Sequence, residues 1–187
     1  MIFVLAIVCS CGHGNRVRHD TDESPVSKYD EAINTCILNL FGKLYEKEYN
    51  CIPSEISIPL YDIIALDDTN IQDIQATGDF WLFYYDLSGD TLKTVTGFNK
   101  PGKLHMWKMG NDKYSWSQFE FVSMENEKNA QRVFGDKLEE FLALHADSDR
   151  REAIRAEAIA AYVRSNGLSV KYYQNEGQPA VKLPPVK

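Results

Sequence analysis

Between Asp79 and Val122 apolar residues recur with a period of two, and three turn signals interrupt the run: Ser88-Gly89, Asn99-Lys100-Pro101-Gly102 and Gly110-Asn111-Asp112. Such alternation is the mark of strands that turn one face to a core. It predicts an antiparallel meander of four strands joined by tight turns. Tight turns dictate the pairing: Tyr85 opposite Leu92, Thr94 opposite Trp107, Thr96 opposite His105, and Trp107 opposite Trp116. One face then carries Phe80, Leu82, Val95, Leu104, Met106, Phe119 and Phe121, a plain core surface. The other carries Trp81, Phe83, Tyr85, Thr94, Thr96, His105, Trp107, Trp116 and Gln118. A slip of one residue in any turn exchanges the faces beyond it.

Helical periods flank this region. Ile33, Ile37, Leu40, Phe41 and Leu44 predict a helix from about Tyr29 to Tyr49, with Ser27 as cap and Asn50 and Pro53 as its stop. Asp30 and Glu31 suit its positive end. The segment from Ile52 to Asp73 stays open: Pro59 excludes a central strand, and Leu60 to Leu66 suits a short helix opened by that proline. After the meander, Asn126 to His145 places Ala130, Phe134, Leu138 and Phe141 on one side of a helix. Beyond Ala146-Asp147-Ser148 a second helix runs to Ser165, with Asp149 and Glu152 as a capping pattern and Asn166-Gly167 as its end. Leu168 to Gln174 reads as a fifth strand. The fold class expected is α+β, a long N-terminal helix packed on a curled antiparallel meander of four or five strands, with two C-terminal helices.

The first nine residues are apolar, too few for the roughly 20 that span a bilayer, and they fit the core of a secretion signal. Val8-Cys9-Ser10-Cys11 resembles the lipobox of bacterial lipoproteins: an aliphatic residue at −3, a small one at −1, then the cysteine that takes a diacylglyceryl thioether. The resemblance implies a signal peptide over residues 1–10, lipidation of Cys11 and a membrane-anchored protein on the periplasmic side. Two features depart from the pattern, the lack of Lys or Arg before the apolar run and a cysteine at −2. Cleavage after Ser10 without lipid, or a cytosolic chain with an unusual start, stand as alternatives. Residues 11–27 are polar and aperiodic and read as a flexible tether, and residues 28–187 as a single domain.

At 187 residues and 44% hydrophobic, the chain is long enough for one well-filled core. Twenty basic side chains against twenty-seven acidic ones give a net charge of −7, without the basic footprint that nucleic acid demands. Of the four cysteines, Cys9 leaves with the signal and Cys11 carries lipid. A helix from Cys36 to Glu48 rises about 18 Å. The few residues up to Cys51 recover at most about 10 Å, so a disulfide needing Cα atoms within about 7 Å cannot close. Two unpaired thiols are expected.

Catalytic and metal patterns are missing from the sequence. The histidines His13, His19, His105 and His145 form no HxxxH or HExxH pair, and no CxxC, P-loop or nucleophile elbow occurs. Neither a metal nor a cofactor is expected. The feature with the most chemistry is the aromatic face. Trp81, Tyr85, Trp107 and Trp116 suit the stacking of a flat or sugar-like ligand, with Thr94 and His105 orienting it. The competing reading is that the C-terminal helices cover this face, as in most α+β domains.

A helix followed by a four-stranded meander, Tyr29 to Val122, is similar to the cystatin-like core. With the insertion at Ile52 to Ile74 it resembles the nuclear-transport-factor-2-like superfamily, whose lipoprotein members from Bacteroidota have segments like Asp79-Phe80-Trp81-Leu82-Phe83-Tyr84-Tyr85 and Arg132-Val133-Phe134-Gly135. The resemblance implies a curled sheet around a pocket used by enzymes and binding proteins alike. The leading expectation is non-enzymatic binding of a small ligand or an envelope protein through the aromatic face. The alternatives are a hydrolase- or isomerase-like enzyme using His105 with a carboxylate from Ile52 to Asp79, and a structural envelope protein.

Overall fold

The computed structural model describes residues 26–185 except Ile52. The expected signal peptide, the expected lipid site Cys11 and all but the last two residues of the expected tether lie outside the described residues. The helix expected first is present, in pieces: a 3-10 turn at Ser27–Tyr29, α1 at Asp30–Cys36, a π-helical turn at Ile37–Phe41, and α2 at Gly42–Tyr49. Its buried residues Ile33, Ile37, Phe41 and Tyr45 recur every four positions. In an α-helix each such step overshoots a full turn by roughly 40°. The wider π turn takes up part of that drift and keeps all four on the sheet. Asn50, left-handed at φ 53°, ends the run.

The sheet is larger than expected and mixed rather than purely antiparallel. Among the described residues it has seven strands: β1 Ile56–Asp67, β2 Ile74–Ser88, β3 Thr91–Asn99, β4 Gly102–Gly110, β5 Lys113–Phe121, β6 Tyr172–Gln174 and β7 Val181–Lys182. The segment left open is thus the long strand β1, not a short helix. Pro59 is tolerated because β1 pairs only with β2 and is an edge. The fifth strand expected from Leu168 is the short β6, parallel to β3.

The main correction concerns Asn99 to Gly102. This is no hairpin: β3 pairs with the C-terminal half of β2, and β4 continues along the same edge to pair with the N-terminal half. The Lys100 N–H donates to the Phe80 carbonyl at 2.9 Å, and the Asn99 side chain donates to the same oxygen at 3.0 Å, so the corner keeps its backbone groups satisfied. Gly78 and Gly102 face each other across it. A Cβ on Gly78 would meet the Asp62 carbonyl oxygen at 2.2 Å, and one on Gly102 the Glu120 carbonyl oxygen at 2.2 Å, so only glycine lets four strands crowd this bend.

The expected partners change accordingly. Tyr85 pairs with Thr94 and Leu92 with Leu87, because the chain reverses at Gly89-Asp90 rather than at Ser88-Gly89, and a bulge at Val95 then sets Thr96 opposite Tyr84. Thr94 and Thr96 never meet Trp107 and His105. Irregular pairing within β4 and β5 places Trp116 opposite Met106 and Trp107 opposite Ser115.

Three apolar clusters share the sheet. The N-terminal helix packs on the face carrying Ile74, Phe80, Leu82, Tyr84, Phe98, Leu104, Met106 and Phe119. Expected core members Val95 and Phe121 are exposed instead. On the opposite face α5, Ser148–Ser165, buries Ile159 and Val163 against Ile58, Tyr85, Leu92 and Tyr173. Helices α3, Glu127–Phe134, and α4, Leu138–Ala146, close a third cluster around Phe134 and Phe141, whose rings stack at 3.9 Å. The single helix expected from Asn126 is broken at Gly135, φ 57°. Asp147, rather than the Asp149/Glu152 pair, caps α5 by accepting from the Arg150 N–H at 2.9 Å. Cys36 is buried and Cys51 exposed, both free as expected.

Candidate functional site

The six residues proposed for ligand binding do not share a surface. Trp81, Tyr85, Thr94, His105 and Trp107 follow one face of the sheet, whereas Trp116, opposite Met106, packs half-buried against the helix-facing cluster with Thr96 on its side. The bulges that reset the register are the cause. On the shared face Tyr85 is fully buried and Trp81 nearly so, and only Trp107 is exposed.

The aromatic face also has an internal occupant. Arg155 of α5 is buried at 4% exposure. Its guanidinium lies 4.1 Å over the Phe83 ring, 5.4 Å from Tyr85 and 5.6 Å from Tyr173. It donates to the Tyr85 hydroxyl at 2.8 Å, to Thr94 Oγ1, and to Glu152 at 3.2 Å. Burial, opposed by Arg155, pushes the Tyr85 hydroxyl up to about 12. The Arg155 guanidinium thus occupies, among three aromatic rings, the place that a cationic ligand would take.

His105 does have carboxylates within reach. Nδ1 lies 2.7 Å from Asp73 and Nε2 2.9 Å from Glu120, which also takes a 2.6 Å bond from Arg132. The bond to His105 holds the Asp73 carboxyl below its ordinary value, and the bonds to Arg132 and then His105 do the same for Glu120. Both ring nitrogens thereby face a carboxylate within the protein.

Sequence reasoning missed a second polar group on this face. Asp79 is fully buried, facing His145 Nδ1 and accepting from Asn99 Nδ2. Burial raises its carboxyl, and the bonds from Asn99 and His145 oppose that. Its cross-strand neighbour Asp62 accepts a fork from Arg150, with Nη2 at 2.9 Å. The two pairs pin the corner between α4 and α5 to β1 and β2. Asp79 and His145 stand 66 positions apart, and no local spacing joins them.

The open site lies at the edge of the sheet. A groove of about 620 Å³ runs along β1 between α1 and α5. Its wall on one side is Asp30, Asn34 and Leu38, and on the other Ile154, Glu157, Ala158 and Ala161. The floor is the β1 segment Ser57–Tyr61. The Phe80 carbonyl points toward β3, so the backbone groups of Trp81, Phe83 and Tyr85 point toward β1. Their partners there are Leu60, Ile58 and Ile56. The alternate residues Ser57, Pro59 and Tyr61 therefore turn their backbone groups outward into the groove. Sequence reasoning recognised Pro59 as incompatible with a central strand, but nothing local showed that two helices flank that edge.

No protein family, curated protein or solved structure matches this chain. Among the described residues no cluster of three or more His, Cys, Asp or Glu is placed to hold a metal, and no helix is long and apolar enough to cross a membrane.

Proposed function

We propose that this chain is a non-enzymatic binding domain of the cell envelope, anchored through a lipid on Cys11, that takes a protein partner in the groove along β1. The observation that carries the reading is the outer edge of β1, which lies between two helices and pairs with no strand among the described residues. A sheet edge presents a row of unused donors and acceptors, and proteins usually blunt or cover it. Here Pro59 removes one donor, and the rest face an apolar trough of about 620 Å³, the size of a ligand-binding cleft. Strand addition at such an edge is a common mode of peptide capture. The aromatic face has its own arginine as guest, and both ring nitrogens of His105 face a carboxylate within the protein, so neither competes as a site. The helix laid on a bent sheet is in keeping with the nuclear-transport-factor-2-like resemblance, which stays part of this proposal together with the periplasmic location.

Photocrosslinking in the full chain tests the site. A photoreactive residue in place of Ala161 is expected to form a polypeptide adduct that Ala158→Trp suppresses by filling the groove. Adducts from position 107 with none from position 161 refute it. Mass spectrometry of the mature protein tests the anchor: a thioether-linked diacylglyceryl group on Cys11 is expected, and an unmodified Cys11 or an intact Met1 overturns it.

A further inference from the structure

We infer that the groove selects an extended peptide carrying a lysine or arginine, whose cation docks on Asp30. This rests on the proposed binding site at β1 and adds the chemistry of its occupant. Seven carboxylates among the described residues are buried or half-buried: Asp30, Asp62, Asp73, Asp79, Asp90, Glu120 and Glu152. Six have a basic side chain as partner: Arg150 for Asp62, His105 for Asp73, His145 for Asp79, Lys171 for Asp90, Arg132 for Glu120 and Arg155 for Glu152. Among the described residues Asp30 has none and accepts only from the Tyr61 hydroxyl, through Oδ1. A half-buried carboxylate without a counter-ion is costly, and its place in the first turn of α1 compensates it only in part.

Asp30 stands on the groove wall, where an added strand would meet it. A strand hydrogen-bonded to Ser57 and Tyr61 lies about 4.8 Å beyond β1, and its side chains alternate between α1 and α5. Those toward α5 meet Ile154, Ala158 and Ala161, a surface for apolar side chains with room left by the alanines. Those toward α1 meet Asp30 and Asn34. Among the described residues the only charged ones lining the groove are Asp30 and Glu157, both acidic. The same lining argues against a second copy of this chain edge to edge, since its β1 brings Asp62 and Asp67 and no cation. A cationic peptide meets complementary charge where a second copy meets its own.

A displayed library of random octapeptides, selected on the full-length protein, tests this. Selected peptides are expected to carry Lys or Arg at one fixed position between apolar residues. Replacing that residue by norleucine, or Asp30 by Asn, is expected to weaken binding at least tenfold, and both together no more than either alone. Hydrogen exchange is expected to slow at the Ser57 and Tyr61 amides when such a peptide binds. Selected peptides that slow those amides but need no cation, or that are indifferent to Asp30→Asn, overturn the inference and leave the groove reading standing. Selected peptides unaffected by Ala158→Trp, or no selection at all, overturn both. A dimer in which the same amides are already protected makes a second copy the occupant and also overturns the inference.

Discussion

Replacement of Arg155 by methionine isolates the contribution of a buried cation to this fold. Methionine keeps most of the stem volume and removes every donor. Tyr85, fully buried, loses the 2.8 Å bond to its hydroxyl, at a cost of about 1–3 kcal/mol. The stacking of the guanidinium at 4.1 Å over Phe83 contributes about 1–2 kcal/mol more. The pair with Glu152, whose side chain is 40% exposed, adds little. Relief of the guanidinium's own desolvation works the other way. The net expected is a loss of about 2–4 kcal/mol, a large share of the roughly 5–15 kcal/mol that holds a domain. At about 2–4 °C per kcal/mol for a chain of this size, the melting temperature falls by about 5–15 °C. Circular dichroism through the transition reads it, and a cycle with Tyr85→Phe isolates the pair, with a coupling of about 1 kcal/mol expected. A melting temperature within about 2 °C of the parent refutes the reasoning, because Arg155 would then be a bystander in its cage.

Gly78→Ala must push a Cβ past a carbonyl oxygen at 2.2 Å and is expected to cost about 3 kcal/mol in urea unfolding. Gly89→Ala, with open space around it and only a φ of 62° to resist, is expected to cost about 1 kcal/mol, and equal losses would count against the crowded bend. Iodoacetamide followed by peptide mapping is expected to label exposed Cys51 and spare Cys36, whose thiol burial pushes up to about 12; rapid labelling of Cys36 in the folded protein would contradict its burial. Asp73 and Glu120 are held below their ordinary 3.8 and 4.5, so the stability they contribute is fully present above those values and is lost as pH falls through the depressed folded ones. His105→Gln is accordingly expected to lower stability near neutrality and to converge on the parent only as the pH falls below 3.8 and through the depressed folded values, whereas a pH-independent difference would point to packing alone.

Local chemistry made much of the secondary structure legible. Helical spacing from Ile33 to Leu44 marked the N-terminal helix, Asn50 and Gly167 marked ends, and the period of two from Asp79 marked strands. The site was hardly legible at all. Trp116 was assigned to the wrong face because an extra residue in a strand leaves no mark in a hydrophobic pattern. Asn99 to Gly102 has the composition of a reversing turn and is a bend within one continuing edge, a choice made by the length of β2, which has room for both β3 and β4.

By itself, the sequence determined the N-terminal helix, the strands from Asp79 to Val122 and the helix ending at Ser165, though not β1, because backbone propensity and side-chain period act within a few residues. Only the tertiary structure decided that Arg155 fills the Tyr85 end of the aromatic face, that His145 reaches Asp79, and that β1 lies at the sheet edge beside Asp30. Those outcomes depend on which residues distant in the chain share a face, and a shift of one position along a strand is enough to reverse them.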